Sequence, residues 1–181
     1  MEWFIPGTVL KADVASAVEQ QFSAMFLGGG IVLSQVTGIT GLEAYTVQNW
    51  VKRGFLSPPE RKQYSLEQLC RIININMLKN VLPMERIVGL LSYINGDLDD
   101  ERDDIIGDSQ LYFMFVRLAA QSRMMNTPQG RDECIAKELA DYREPVPGAK
   151  ERVEKVLPIM LTAWASAQLR LAAEQMLQEL N

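Results

Sequence analysis

Gln48, Asn49 and Lys52 stand in the stretch "AYTVQNWVKRGF", spaced so that a helix would carry all three on one side. Their chemistry is that of base and phosphate recognition. Gln and Asn each offer a donor and an acceptor that match an adenine edge, and Lys or Arg reaches guanine or a phosphate oxygen. Val47, Trp50 and Val51 fall on the opposite side at the helix period, so the same segment has an apolar face to bury. Thr46 and Arg53 flank the polar face, which has no acid after Glu43 to repel a phosphate backbone. Beyond this helix Pro58-Pro59 forces extended backbone. Arg61 and Lys62 follow, where a loop could grip phosphates beside a groove.

A polar outer face is common to surface helices, and the remaining composition narrows the choice. The 181 residues contain no histidine, which removes His-based acid–base chemistry, the usual Ser and Cys triads and most zinc or haem sites. No nucleophile–base pair, phosphate loop or metal cluster takes their place, so the chain reads as a non-enzyme with no cofactor and no metal. Asn95, Asp97 and Asp99 alternate like the start of a calcium loop, but Asp100 and Ile106 stand where such a loop needs Gly and Glu. Cys70 and Cys134 are far apart and read as buried thiols of a reducing compartment. The start, "MEWFIPGTVLK", lacks a secretory pattern, and the longest apolar run, "AMFLGGGIVL", is too short and glycine-broken to span a membrane. The expectation is a cytoplasmic protein without a membrane partner.

The net charge of −5 argues against general affinity for nucleic acid, but it is unevenly spread. Residues 31–82 carry Lys52, Arg53, Arg61, Lys62, Arg71 and Lys79 against Glu43, Glu60 and Glu67. Residues 95–108 carry Asp97, Asp99, Asp100, Glu101, Asp103, Asp104 and Asp108 against Arg102.

Helical spacing dominates the elements that must position these groups. Val14, Val18, Phe22 and Phe26 predict a first helix over 9–27, stopped by Gly28-Gly29-Gly30. A short helix over 31–38 follows. "TGLE" at 40–43 matches a capping box and predicts the next helix over 41–53, with Gly54 as its stop. "SLEQ" at 65–68 is a second capping box, opening a helix to about residue 80. Pro83 suits the first turn of another helix, closed by Asn95-Gly96. Three more are expected over 108–125, 127–143 and 148 to the end. In the last, Val153, Leu157, Met160, Trp164, Ala167 and Leu171 form a heptad-like seam of core or subunit contact, and Pro158 predicts a kink or break inside it.

This order of short helix, turn, second helix, Pro-rich basic loop and capped helix is a winged helix-turn-helix layout. "VTG…TVQNWVKRGFLSPPERKQYSLEQLCRI" resembles the DNA-binding head of MerR-type regulators. Thr37-Gly38, Thr46-Val47-Gln48-Asn49-Trp50, Gly54-Phe55-Leu56-Ser57-Pro58 and Tyr64-Ser65 with Leu69 take the places of that head's turn, recognition helix, wing entry and helix start. Residues 46–87, with the Pro-Pro segment and "MLKNVLPMERI", more closely resemble the YkrK-like bacterial family, whose members carry a domain of unknown function and are regarded as transcriptional regulators. The resemblance implies that Thr46, Gln48, Asn49 and Lys52 enter the major groove or line its rim. It also implies that Arg61, Lys62 and Tyr64 contact phosphate from the wing, with Arg53 able to do either and Trp50 acting as a wedge to the core. There are departures. "ITGLEAY" is longer than the MerR-type turn, and Gln48 and Asn49 replace an Arg and a Tyr. The long coiled coil that joins MerR-type dimers is replaced here by an acidic linker and three helices.

The combined expectation is an all-α fold with a MerR-like winged helix-turn-helix head and a small wing. Residues 1–30 form an N-terminal helix, 31–95 the head, 96–107 an acidic linker and 108–181 a C-terminal helical region for dimerisation or effector response. The function implied is a transcriptional regulator that binds double-stranded DNA as a homodimer, with no particular small-molecule effector indicated. The alternative is a protein-interaction or ligand-sensing helical module without direct DNA binding, the latter with a pocket among Tyr112, Phe113, Met160 and Trp164.

Overall fold

In the computed structural model, which describes residues 3–96, 104–121 and 127–180, the protein is mainly helical. Two short strands, β1 (Trp3–Phe4) and β2 (Lys11–Ala12), open the described chain as an antiparallel hairpin. A 3-10 turn at Ala15–Ala17 leads into α1 (Val18–Met25). β3 (Ile31–Val32), α2 (Leu33–Thr40), α3 (Ala44–Lys52) and β4 (Gln63–Tyr64) follow, with β3 and β4 paired antiparallel. Then come α4 (Leu66–Leu78), α5 (Met84–Asn95), α6 (Asp108–Ala119), α7 (Pro128–Glu138) and α8 (Ala149–Gln178).

α4 is the axis of the molecule. Leu69, Cys70, Ile72, Ile73, Ile75, Met77 and Leu78 are all buried, and apolar residues pointing in so many directions require neighbours on most sides of the helix. It packs on α6 most extensively, and also on α2, α5 and α8. Its start is set locally: Ser65 accepts from the Gln68 N–H (3.2 Å), and the Gln68 side chain accepts from the Ser65 N–H (2.9 Å). This is the reciprocal capping box expected at that position. α6 is nearly as enclosed, with Leu111, Tyr112, Phe115 and Leu118 fully buried. One contiguous apolar core joins the hairpin, both central helices and the first half of α8.

The chain departs from the expected helix over 9–27. The helix begins only at Val18, because the residues before it are drawn into the hairpin by contacts distant in sequence. The Tyr112 hydroxyl donates to the Pro6 carbonyl (2.8 Å), and the Asn76 amide donates to the Gly7 carbonyl (2.9 Å). Gly7 lies so close to α4 that a Cβ would sit 2.8 Å from Ile73 Cγ2, and its φ of 74° is in the left-handed region. Val14, counted toward the apolar face of that helix, is 53% exposed. Helical period was present, but tertiary contact overrode it.

The other boundaries shift by a few residues. α3 starts at Ala44 rather than Gly41, and the Thr40–Glu43 capping box does not form. Instead Thr40 is buried, donating to the Val36 carbonyl (2.8 Å) and accepting from the Leu42 N–H (3.3 Å). Gly41, at φ 69°, ends α2 in the left-handed conformation that a Cβ disfavours. Most of the acidic stretch, residues 97–103, lies outside the described residues, as do 122–126 at the end of the helix expected over 108–125.

α8 runs through Pro158 without interruption. The carbonyl that loses its donor belongs to Glu154, a half-buried residue. The seam from Val153 through Leu157, Met160 and Trp164 to Ala167 faces the core, whereas Leu171 is 44% exposed. By length and mean hydropathy (1.3 over 18 residues) α8 is long and apolar enough to cross a membrane, and 33% of that window is buried inside the chain. Of the residues proposed as a pocket, Tyr112, Phe113 and Met160 are buried in the core and Trp164 packs against it. Tyr112 and Phe113 stack with Phe22 at ring distances of 5.6 to 5.9 Å, Trp164 meets Phe115 edge-on at 5.9 Å, and Met160 is fully buried.

Candidate nucleic-acid interface

Two short helices joined by a tight turn carry the polar residues singled out above. α2 is anchored on α4, on the paired strands and on α3, while α3 makes its main packing contact with α2 alone. Val47 is fully buried, Trp50 is 3% exposed and Val51 is half-buried against the core. Gln48, Asn49 and Lys52 are exposed, Thr46 is half-buried and Tyr45 is exposed. The helix period thus sorts α3 into a wedge and an outward polar face.

The turn before α3 is tied down from several elements. The Val9 N–H donates to the Ile39 carbonyl (2.9 Å), and the Asn76 amide that holds Gly7 also donates to the Thr40 carbonyl (3.0 Å). A Cβ on Gly41 would approach Val9 Cγ1 to 2.7 Å. A side chain there would push the hairpin off the turn.

After α3, Arg53 turns back along the protein. Its guanidinium lies 4.5 Å from the Phe55 ring and 3.5 Å from Glu85 on α5. The loop that follows is held by α4. Gln68 donates to the Ser57 carbonyl (3.1 Å), the Ser57 hydroxyl (3.0 Å) and the Pro58 carbonyl (3.0 Å), while Arg71 Nε donates to the Phe55 carbonyl (3.1 Å). The chain then reverses at Arg61 and Lys62, both at positive φ (49° and 65°), between the paired Glu60 and Gln63. Two successive residues at positive φ make the tight hairpin turn whose twist matches flanking strands. That strained tip holds two exposed cations rather than the usual Asn-Gly.

Tyr64 requires a correction. Expected at the phosphate backbone, it is 3% exposed, because β4 alternates with Gln63 outward and Tyr64 into the core. Burial raises its phenol above the ordinary value. It positions the wing and does not belong to the surface.

Arg71 is a second correction, to the count of local cations. It is 3% exposed and pairs through Nη1 with Asp108 at 3.2 Å. Asn74, on the same face of α4, donates to the Asp108 carbonyl (3.4 Å) and approaches its carboxylate (3.5 Å). Glu67 accepts from the Ser109 N–H (2.9 Å) and from the Ser109 hydroxyl, a carboxylate at the N-terminus of α6. Burial raises the Asp108 carboxyl above its usual range, and Arg71 opposes that shift. Cys70, beside this network, is pushed well up by burial and then by Glu67 and Asp108. Both Cys70 and Cys134 are buried free thiols. The sequence does contain a signal for the network: Glu67, Arg71 and Asn74 stand at spacings of four and three in an otherwise apolar helix. Counting charge along the chain does not find it.

Fold and surface together define a mainly helical protein that presents a short, outward-facing polar helix next to a basic turn. The chain belongs to the family described as a domain of unknown function, DUF1836, whose profile matches residues 13–115, from the 3-10 turn region into α6. It is similar to the uncharacterized protein YkrK of Bacillus subtilis (strain 168), 30% identical over 86 residues. That match covers 45% of this chain and 37% of the relative. No solved structure matches the chain.

Proposed function

We propose that this protein is a transcriptional regulator whose head is a MerR-like winged helix-turn-helix. In this reading α3 enters the major groove of double-stranded DNA and the turn at Arg61 and Lys62 grips flanking phosphates. The observation that carries it is the sorting of α3: Gln48, Asn49 and Lys52 exposed, Val47 and Trp50 buried. No exposed acid stands on α3 after its start, which suits approach to a polyanion. Thr46 lies at the rim of that face, and Arg53 is drawn toward Glu85, so its part is to hold the end of α3.

The test is recovery of bound genomic fragments followed by anisotropy titration across salt. Binding through Lys and Arg must weaken by about 0.9 log units per decade of salt for each phosphate neutralised. Failure to enrich any fragment, or binding indifferent to salt, ends the reading.

A single short helix gives little affinity, and pairing two heads about one helical turn apart is the usual solution. The distal part of α8 supplies a means. Beyond Ala167 it continues to Gln178 with Leu169 (73% exposed), Ala173 and Met176 (66%) in line at steps of four and three, and Leu180 (82%) just past its end. A free helix of that length is marginal in water, whereas two copies side by side would bury each other's stripe. The homodimer is therefore part of the proposal, and L169E combined with M176E is expected to halve the mass measured by light scattering. The same stripe favours the second reading, a helical protein-interaction module without direct DNA binding. A stable dimer that enriches no DNA would select it.

A further inference from the structure

The outward face of α3 holds an aromatic ring as well as its polar groups. Tyr45, the second residue of the helix, is 72% exposed. At the helix period Tyr45, Gln48, Asn49 and Lys52 fall within an arc of about 100°, opposite the buried Val47 and Trp50. A tyrosine usually buries its ring and pairs its hydroxyl. Among the described residues nothing hydrogen-bonds to the side chains of Tyr45, Gln48 or Asn49, and no aromatic ring or cation lies against Tyr45. One exposed apolar residue needs no explanation in itself, but the place of this one is informative. It stands at the start of α3, just after the turn that Val9 and Asn76 brace, and a recognition helix touches base edges with its N-terminal residues.

The face is selective in what it offers. It carries no guanidinium, because Arg53 is engaged by Glu85 (3.5 Å) and the Phe55 ring (4.5 Å). Lys52, its one cation, lies two turns beyond Tyr45 at the far end. The near end holds a ring and two amides. An amide matches the N6 donor and N7 acceptor of adenine, and an apolar surface matches the 5-methyl group of thymine. We propose that the half-site read by this protein is composed of A·T pairs, with Gln48 and Asn49 on adenine edges and the Tyr45 ring against a thymine methyl group. Tyr45 and Asn49 are about 6 Å apart along the helix axis, close to two base-pair steps of about 3.4 Å, so each side chain has a base of its own. The proposal rests on the reading of α3 as a groove-entering helix and adds to it the class of sequence recognised.

The test takes the genomic fragment bound most tightly by the full chain and measures anisotropy with two replacements made one position at a time. Uracil for thymine removes only the 5-methyl group, and 7-deazaadenine for adenine removes the N7 acceptor. At one or more positions uracil should weaken wild-type binding by about fourfold, the scale of one methyl group removed from water. The same replacement should change nothing for Tyr45→Ala, whereas Tyr45→Phe, which keeps the ring, should respond as the wild type does. 7-Deazaadenine at a nearby pair should cost the wild type about fivefold or more, and nothing further in Gln48→Ala or in Asn49→Ala. Salt-dependent binding that feels no uracil replacement, or that feels it equally in Tyr45→Ala, overturns the proposal and leaves the regulator reading standing. Indifference to 7-deazaadenine at every position, or a bound site made of G·C pairs, does the same. A chain that enriches no fragment at all ends both readings and leaves the exposed face to a protein partner.

Discussion

α3 and α4 each carry a polar stripe, and the two stripes have opposite fates. Gln48, Asn49 and Lys52 on α3 look outward, while Glu67, Arg71 and Asn74 on α4 turn inward to meet Asp108 and Ser109 at the head of α6. Residue type does not separate them, since each stripe mixes a cation with an amide. What separates them is enclosure. α3 leans mainly on α2, so half its circumference is free, whereas α4 is wrapped by four other helices. A polar side chain on α4 must find a partner inside the protein or leave a buried group unmatched. The lesson is that a spacing defines a face, and only the neighbours decide whether that face is a surface or a joint.

The contrast can be broken at its buried end first. Asp108→Ala strands the Arg71 guanidinium in the interior and should cost about 3–5 kcal/mol in denaturant unfolding. A loss under about 1 kcal/mol would mean that water already reaches the pair. Trp50→Ala removes the wedge beneath the outward stripe, and a loss of similar size, about 3–5 kcal/mol, is expected from the large buried aromatic. An unchanged melting temperature would show that α3 does not depend on its apolar side. Ser65→Ala tests the local cap of α4 and should lower stability by about 1 kcal/mol. The smallest effect belongs to the outward stripe. Lys52→Ala and Arg61→Ala should each leave stability within about 0.5 kcal/mol yet lower the salt slope of DNA binding by about one unit. If both keep wild-type affinity and slope, α3 and the turn at Arg61 are not the groove-facing surface.

What could be read from the sequence was mostly what is settled within a few residues. The Ser65–Gln68 cap is visible because both partners lie in one turn, and the wedge of Val47 and Trp50 follows from the helix period alone. The hairpin at residues 3–12 could not be read, because its causes sit on α4 and α6 at Asn76 and Tyr112. Tyr64 was misplaced for a related reason. Two-residue strands are too short to display an alternation, so its inward direction depends on pairing with β3, which no local rule reveals. The Arg71–Asp108 pair spans 37 positions, and each residue viewed alone resembles an ordinary surface charge.

The hairpin has a practical consequence. The family match starts at residue 13, so a fragment trimmed to that boundary would omit Pro6, Gly7 and Val9. Tyr112 and Asn76 would lose acceptors inside the protein, and the Ile39 carbonyl beside Gly41 would lose its donor. Cloning by the family boundary would thus discard the brace that keeps the turn before α3 in place, and a negative binding assay on such a fragment would say more about its design than about the protein.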